Sequence, residues 1–283
     1  MSADALHFTL RPRRAASAFS LVEVLVSMAV VALLLVLLLQ TLESTTRVTR
    51  ISNQRMDAVQ QARIIMDSFH TDFANIVTKN GLTAFVSADA NGNSRLAFIA
   101  RGRGPNVSGS DESRFLAVSY ELDGHTLKRK VSPVAWNSLD LVGAAIQNAV
   151  SSTDVAELAA GVLRFEIVAV LDDGTITALS QAGAWKTNSL NGVAIAGLYS
   201  ALVLDSPKNV RHVQSLHIAV ATVGVPLLSQ TGTSTLSTLL GPATDGTTPY
   251  EVWSNIISSG GISSVPVPAR SSLFIDQRCY NFK

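Results

Sequence analysis

The chain has 283 residues, 47% of them hydrophobic and only 15% charged, with a formal net charge of +1. Charge so near balance excludes a binder held by bulk electrostatics, so no nucleic acid is expected as a partner. The single cysteine, Cys279, excludes an intramolecular disulfide even in an oxidising compartment. Its expected place is a partly buried thiol in a terminal strand.

The first element is an apolar run between Arg14 and Gln40, broken near its start by one carboxylate, Glu23. An acid at the centre of a membrane helix costs about 2.5 to 3.5 kcal/mol even on lenient scales, so Glu23 calls for a partner. No basic residue lies within the run. A cut between Ala18 and Phe19 would create one, an α-amino group on Phe19 lying one helical turn from Glu23, or near the Glu23 of a neighbouring copy. Arg11, Arg13 and Arg14 precede the run and would hold a leader on the cytoplasmic side, with everything after Gln40 outside. A secretory signal peptide has a shorter apolar core followed by a small-residue cut, whereas this run continues into Leu-Leu-Leu-Gln-Thr-Leu-Glu. An ordinary signal anchor fits by length but gives no reason for Glu23.

From Arg13 to about Leu39 the chain resembles the N-terminus of type IV pilins and of the pseudopilins of type II secretion systems, most closely in Phe-Ser-Leu-Val-Glu-Val. The resemblance implies that Arg13 and Arg14 are the basic leader residues and that a prepilin peptidase cuts between Ala18 and Phe19. It further implies N-methylation of Phe19, and an assembly charge pair of the Phe19 amine with Glu23. Ala18 stands where the family usually has Gly. The implied partners are other pilin-like subunits, the peptidase, an inner-membrane assembly platform and membrane lipid. The implied location is the inner membrane, crossed once, with a periplasmic C-terminal domain and extraction into a pilus-like fibre.

Helix is expected to continue, because residues 41–79 contain no Gly or Pro. Val59, Ala62, Met66, Phe69, Phe73 and Ile76 recur at steps of three and four, which places them in one stripe. Arg55, Gln60, Gln61, Arg63, Asp67 and Asp72 are expected on the solvated side, and Asn80-Gly81 as the C-terminal cap. About 60 residues of helix from Phe19 would span about 90 Å, three times a hydrocarbon core. The domain plan is a leader at 1–18, a transmembrane or assembly helix at 19–42, its amphipathic continuation at 43–80, and a head at 81–283.

The head reads as antiparallel sheet. Residues 95–100 form a short strand, and 115–122 alternate before Asp123-Gly124 turns the chain into 125–131 as a hairpin. A second alternating face, Leu163 to Leu171, ends at Asp172-Asp173-Gly174, and 214–220 give a third. A long amphipathic helix laid on such strands is an α+β fold of the pilin kind. Residues 95–98, 118–129 and 161–167 also resemble the larger J-type minor pseudopilins. The stretches 54–76, 210–220 and 274–280 look like the Verru_Chthon cassette protein C family. Ser, Thr, Gly and Pro dominate an insertion at about 228–272, which reads as a long surface excursion or flexible segment. Within it, 250–257 with Trp253 is expected to dock back as a short helix.

Chemistry is sparse. None of the five histidines stands at a ligand spacing, and His212 and His217 are expected on opposite faces of a strand. The Arg101-Gly-Arg-Gly-Pro segment lacks the lysine and helix of a phosphate-binding loop. Neither Asp111-Glu112 nor Asp172-Asp173 has the oxygen-rich spacing of a calcium loop, and the sequon at Asn106 carries little weight. The basic run Lys128-Arg129-Lys130 is expected on a solvated sheet edge. No catalytic residue, metal or cofactor is expected. The function that follows is a non-enzymatic minor pseudopilin. The alternatives are a minor pilin for adhesion or DNA uptake and, in another class, a signal-anchored envelope enzyme or binding protein.

Overall fold

The computed structural model describes residues 20–77, 84–88, 92–102, 115–134, 155–171, 173–178, 186–187, 189–190, 193–194, 200–202, 213–228, 233–265 and 267–281. The chain divides into two compact units, Met1–Thr49 and Arg50–Lys283. In the first, every described residue is a solvent-exposed part of helix α1, Leu21–Ala74, or its cap Ser20. Leucine, valine and alanine without Gly or Pro hold the helix. Thr41, Thr45 and Thr49 donate their hydroxyls to the carbonyls of Leu37, Thr41 and Thr45 at 2.8 to 2.9 Å, so these polar side chains are satisfied by the helix itself.

In the second unit the helix buries a stripe of Gln54, Ala58, Ala62, Ile65, Met66, Phe69 and Phe73. The expected stripe holds at its centre, while Val59 and Ile76 are only half-buried. The helix ends at Ala74, before the expected 79. Ile76 bridges Ala100, and Val77 N–H donates to Ile99 O at 2.9 Å. The β-branched pair Ile76-Val77 therefore leaves the helix to pair with a strand, which such residues favour. Asn80-Gly81 lies outside the described residues.

The strands are β1 (Ala84–Ala88), β2 (Ser94–Arg101), β3 (Phe115–Asp123), β4 (Thr126–Val134), β5 (Val155–Ala160), β6 (Val162–Leu171) and β7 (Ile176–Ala178). They continue as β8 (Lys186–Thr187), β9 (Ser189–Leu190), β10 (Val193–Ala194), β11 (Ser200–Leu202), β12 (Val213–Thr222) and β13 (Phe274–Asn281). Among the described residues they form an antiparallel seven-stranded sheet, β5-β4-β3-β2-β1-β11-β8, and a four-stranded sheet, β13-β12-β6-β7, besides the pair β10-β9. The expected β3–β4 hairpin is present, turning through Gly124 at φ +60, the left-handed backbone that a two-residue loop needs.

The chain crosses from one sheet to the other at Gly161. Its φ is +81, and a Cβ there would lie 2.3 Å from Val223 O, so only glycine fits. Further along β6, Ser94 Oγ accepts from Ile167 N–H at 2.9 Å and joins β2 to β6. The α1 stripe covers both sheets from one side. The Phe69 ring lies 3.9 Å, centroid to centroid, from Tyr120 on β3 and 5.5 Å from Phe165 on β6. Thr222 Oγ1 donates to Ala58 O at 2.9 Å. A Cβ on Gly224 would come within 2.9 Å of Gln54 O. Hence the packed part of α1 touches the chain backbone to backbone.

The described residues of 228–272 depart from their composition, for Leu236, Trp253 and Val265 among them are packed rather than part of a surface excursion. Helices α2 (Thr233–Leu239), α3 (Pro249–Ser258) and α4 (Val267–Ser272) cover the other face of the four-stranded sheet. Leu236, Leu240, Trp253, Ile262, Val265 and Ala269 are buried there against Leu163, Ala219 and Ala221. The docked helix around Trp253 is present, and Trp253 Nε1 donates to Gly241 O at 2.9 Å. Its start is a reciprocal cap: Glu251 N–H donates to Thr248 Oγ1 at 3.3 Å and Thr248 N–H to Glu251 Oε2 at 2.9 Å.

Two charges also depart from expectation. Asp72 is not on a solvated side but takes two bonds from Arg129, at 2.8 and 2.9 Å, and one from the Tyr120 hydroxyl. Nor is Lys128-Arg129-Lys130 a sheet edge, since β4 lies between β3 and β5. Lys128 pairs with Asp123 at 2.5 Å and Lys130 with Glu121 at 3.0 Å. Arg129 points the other way, to the helix. Replacing Asp72 by Asn leaves this half-buried guanidinium without its countercharge. We expect a loss of about 3 kcal/mol in urea unfolding; a loss below about 1 kcal/mol, the range of exposed pairs, would show the clamp to be incidental.

On the outer face of β6, Glu166 is buried, accepts from Ala243 N–H at 2.7 Å and stands 3.9 Å from Arg164. Burial pushes its carboxyl up from 4.5 to about 7, while the Ala243 N–H and Arg164 pull it down. The folded chain therefore keeps this proton to a higher pH than the unfolded chain does. Stability should fall as pH rises between about 4.5 and 7 and level off above. Glu166→Gln keeps an acceptor for Ala243, and its thermal midpoint should lose that slope. An unchanged slope would assign the pH dependence elsewhere.

Candidate functional site

The residues singled out at the N-terminus fall in two groups. Arg13, Arg14, Ala18 and Phe19 lie outside the described residues, and so does His7. Glu23 is described, exposed, and sits in the first turn of α1. Its N–H donates to Ser20 O at 3.0 Å and to Ser20 Oγ at 3.2 Å. Ser20 is thus the N-cap and Glu23 the third helical residue, the Ser-x-x-Glu spacing of a helix start. Ser20 is a site residue that the apolar pattern alone does not disclose, although this spacing does. A carboxylate in the first turn faces the positive end of the helix dipole, a favourable place. The next cation along the chain is Arg47, about 36 Å further along the helix axis, far beyond side-chain reach.

From Leu21 to Leu42 the large apolar side chains are exposed on every side of the helix; Leu25, Val31 and Leu37 leave 57, 55 and 51% of their surface open. Fully burying one such side chain is worth about 1.5 to 3 kcal/mol, so the segment is driven toward lipid or other apolar helices. It is long and apolar enough to cross a membrane, and its position fits a single-pass anchor.

The other groups considered have local partners. His125 Nδ1 lies 3.3 Å from Val162 O and His217 Nδ1 lies 3.1 Å from Gln277 Nε2. Burial lowers the His217 pKa. His212, Asn106, Asp111-Glu112, Asp172 and residues 103–105 of the glycine-containing loop lie outside the described residues. Cys279 is in the terminal strand β13 but exposed rather than partly buried, with Sγ 3.4 Å from Asn281 Oδ1. Among the described residues no three of His, Cys, Asp and Glu gather as metal ligands would.

Residues 13–39 match the family model of the prokaryotic N-terminal methylation motif. No curated protein matches the chain. The motif and the long apolar helix are consistent with a type IV pilin-like or pseudopilin-like protein. The antiparallel sheets behind that helix are consistent with a pilin-like α+β fold.

The boundary between the two units falls where burial begins, at Arg50 to Gln54. A chain beginning at Thr45 should be soluble and melt cooperatively, because the stripe from Gln54 to Phe73 has its cover within the second unit. Aggregation, or loss of near-ultraviolet circular dichroism with helix retained, would show that the head needs the apolar segment to pack.

Proposed function

We propose that the chain is a minor pseudopilin, a structural and non-enzymatic subunit of a type II secretion-like or type IV pilus-like assembly. The observation that supports it is the methylation motif at 13–39, which ends in an exposed apolar helix bearing one acid in its first turn. In this reading Arg13 and Arg14 keep the leader in the cytoplasm, and a prepilin peptidase cuts between Ala18 and Phe19 and methylates the new amine. Phe19 immediately precedes the Ser20 cap, so the amine is a cation at the positive end of a helix dipole, where it is unfavourable. Glu23, one turn on, offsets it.

Before assembly the subunit rests in the inner membrane with its head in the periplasm. An assembly platform then draws the apolar helix out of lipid and into a bundle of like helices. There the Phe19 amine of one subunit and Glu23 of the next set the axial register by a charge pair in a medium of low dielectric. Removing one partner of such a pair costs about 3 to 5 kcal/mol, since the other is left buried and uncompensated.

Sequencing the N-terminus of the membrane-bound chain tests the processing. We expect methylated Phe19, and a chain that retains Met1 would return the segment to an ordinary signal anchor. Glu23→Val tests the pairing. The variant should insert and be cleaved normally, as it removes a polar group from hydrocarbon, yet crosslink poorly to its partner subunits in membranes. Mature Glu23→Val recovered in wild-type amounts of complex would refute the assembly role.

A further inference from the structure

The four-stranded sheet has two edges, and they are finished differently. At β7 the outward backbone is sealed. Gly246 N–H donates to Ile176 O at 2.9 Å, and Ala178 N–H donates to Asp245 Oδ1 at 2.9 Å. At the opposite edge β13 pairs with β12 over its whole length, Phe274 to Asn281. Among the described residues, its outward backbone groups bond to nothing. Edge strands are ordinarily protected by proline, lysine or a bulge, and β13 has none of the three. Its two charged side chains sit in ion pairs, Arg278 with Asp67 on α1 at 3.1 Å and with Asp276 at 3.8 Å.

We propose that β13 is a docking edge, which takes an antiparallel strand of the pattern apolar-x-acid-x-base-x-apolar from a different subunit of the same assembly. The pattern follows from the row that β13 presents toward α1: Phe274, Asp276, Arg278 and Tyr280. Opposed residues of an antiparallel pair have Cβ atoms about 4.5 to 5.5 Å apart. An incoming acid therefore meets Arg278 and a base meets Asp276. Apolar ends cover Phe274 and Tyr280, both only partly buried at the rim of the main core. Adding a strand to an open edge gives affinity through the main chain and selectivity through alternate side chains.

The sequence of β13 itself has this pattern, centred on Gln277. Two anchored copies cannot use it on each other. Antiparallel pairing of identical strands is a two-fold rotation about an axis normal to the sheet. It would set the packed segment of α1, Gln54 to Phe73, antiparallel to that of its copy, whereas the proposed function has the helices of neighbouring subunits run parallel. The occupant is thus a strand of another subunit. That attribution rests on the proposed function; the open edge does not.

A free β13 peptide escapes the constraint and serves as the probe. The full chain, reconstituted in phosphatidylcholine vesicles, is mixed with a peptide of residues 274–281 carrying Ile275→Cys and Cys279→Ser. The peptide thiol is supplied as its mixed disulfide with thionitrobenzoate. Centred on Gln277, the pairing sets peptide position 275 against the exposed Cys279 of the chain. The Cys279 thiolate attacks the peptide sulfur, the protein–peptide disulfide forms, and thionitrobenzoate leaves and is measured. We expect this exchange to run at least about tenfold faster than with the activated cysteine moved to position 277, because docking raises the effective thiol concentration. Exchanging Asp276 and Arg278 in the peptide should abolish the preference only partly, through loss of the charge match, and Pro at position 276 should abolish it fully. Equal rates for the 275 and 277 peptides would overturn the proposal. The readouts at Phe19 and Glu23 do not involve β13, so failure here leaves the charge-pair reading standing, and failure there removes only the identity of the occupant.

Discussion

One uninterrupted helix has to solve two burial problems with two kinds of surface. Up to Thr49 every described position is exposed, and the apolar side chains point in all directions, the signature of a helix whose solvent is lipid or other helices. From Gln54 one face of the helix, through Ala58, Ala62, Ile65, Met66, Phe69 and Phe73, is buried in the head. No proline or glycine marks the change within α1. The covering surface differs, while the helical backbone is the same. A subunit built this way can keep its head folded whether its first half lies in a bilayer or among neighbouring helices, because the head draws none of its core from that half.

Within the head, one face of α1 serves two sheets. Phe69 is the shared contact, stacked on Tyr120 from the larger sheet and beside Phe165 from the smaller. Gly161 lets the chain pass between sheets where any side chain would strike Val223, and Ser94 ties the β2 backbone start to β6. The Asp72 clamp then sets rotation as well as depth. A greasy stripe alone tolerates sliding, whereas a bidentate guanidinium–carboxylate pair holds a defined geometry. Tyr120 contributes twice, through its ring to Phe69 and through its hydroxyl to Asp72, and burial beside that carboxylate keeps the hydroxyl protonated.

Local pattern made some of this legible in advance and left the rest hidden for physical reasons. Alternation exposed β3, β6 and β12, and the Asp-Gly pair exposed the β3–β4 turn, because those signals are complete within a few residues. Asp72 looked solvated because its partner, Arg129, is remote in sequence and a charged residue on an amphipathic helix is ordinarily on the wet side. Lys128-Arg129-Lys130 looked like an edge because charge alternation along a strand is the same whether the partner is water or an acid across the sheet. The 228–272 stretch misled through composition. Outside the expected helix at 250–257, its buried residues, among them Leu236 and Val265, are spaced widely among Ser, Thr and Gly, so composition there shows no core-facing helix. Yet Thr248-Pro-Tyr-Glu was a readable cap, as Ser20-Leu-Val-Glu was for α1. Both say where a helix begins without saying what it packs on.

The two surfaces assigned to assembly differ in the kind of information they carry. An all-round apolar helix recognises any other, since hydrophobic burial is non-directional; it supplies attraction without register. In the proposed function Glu23 would supply a register along the helix axis, because a carboxylate in hydrocarbon is tolerable at only the depth where a cation meets it. The proposed docking at β13 would add selection among heads, because main-chain bonds fix the alignment of an added strand and the Asp276–Arg278 row disfavours a misplaced charge. In the proposed function a minor subunit has to join a fibre of similar helices and still occupy a particular place in it. Attraction, axial register and lateral choice are separable tasks, and in the proposed assembly they would rest on separate parts: the exposed apolar run, a single acid, and an open edge strand of the head.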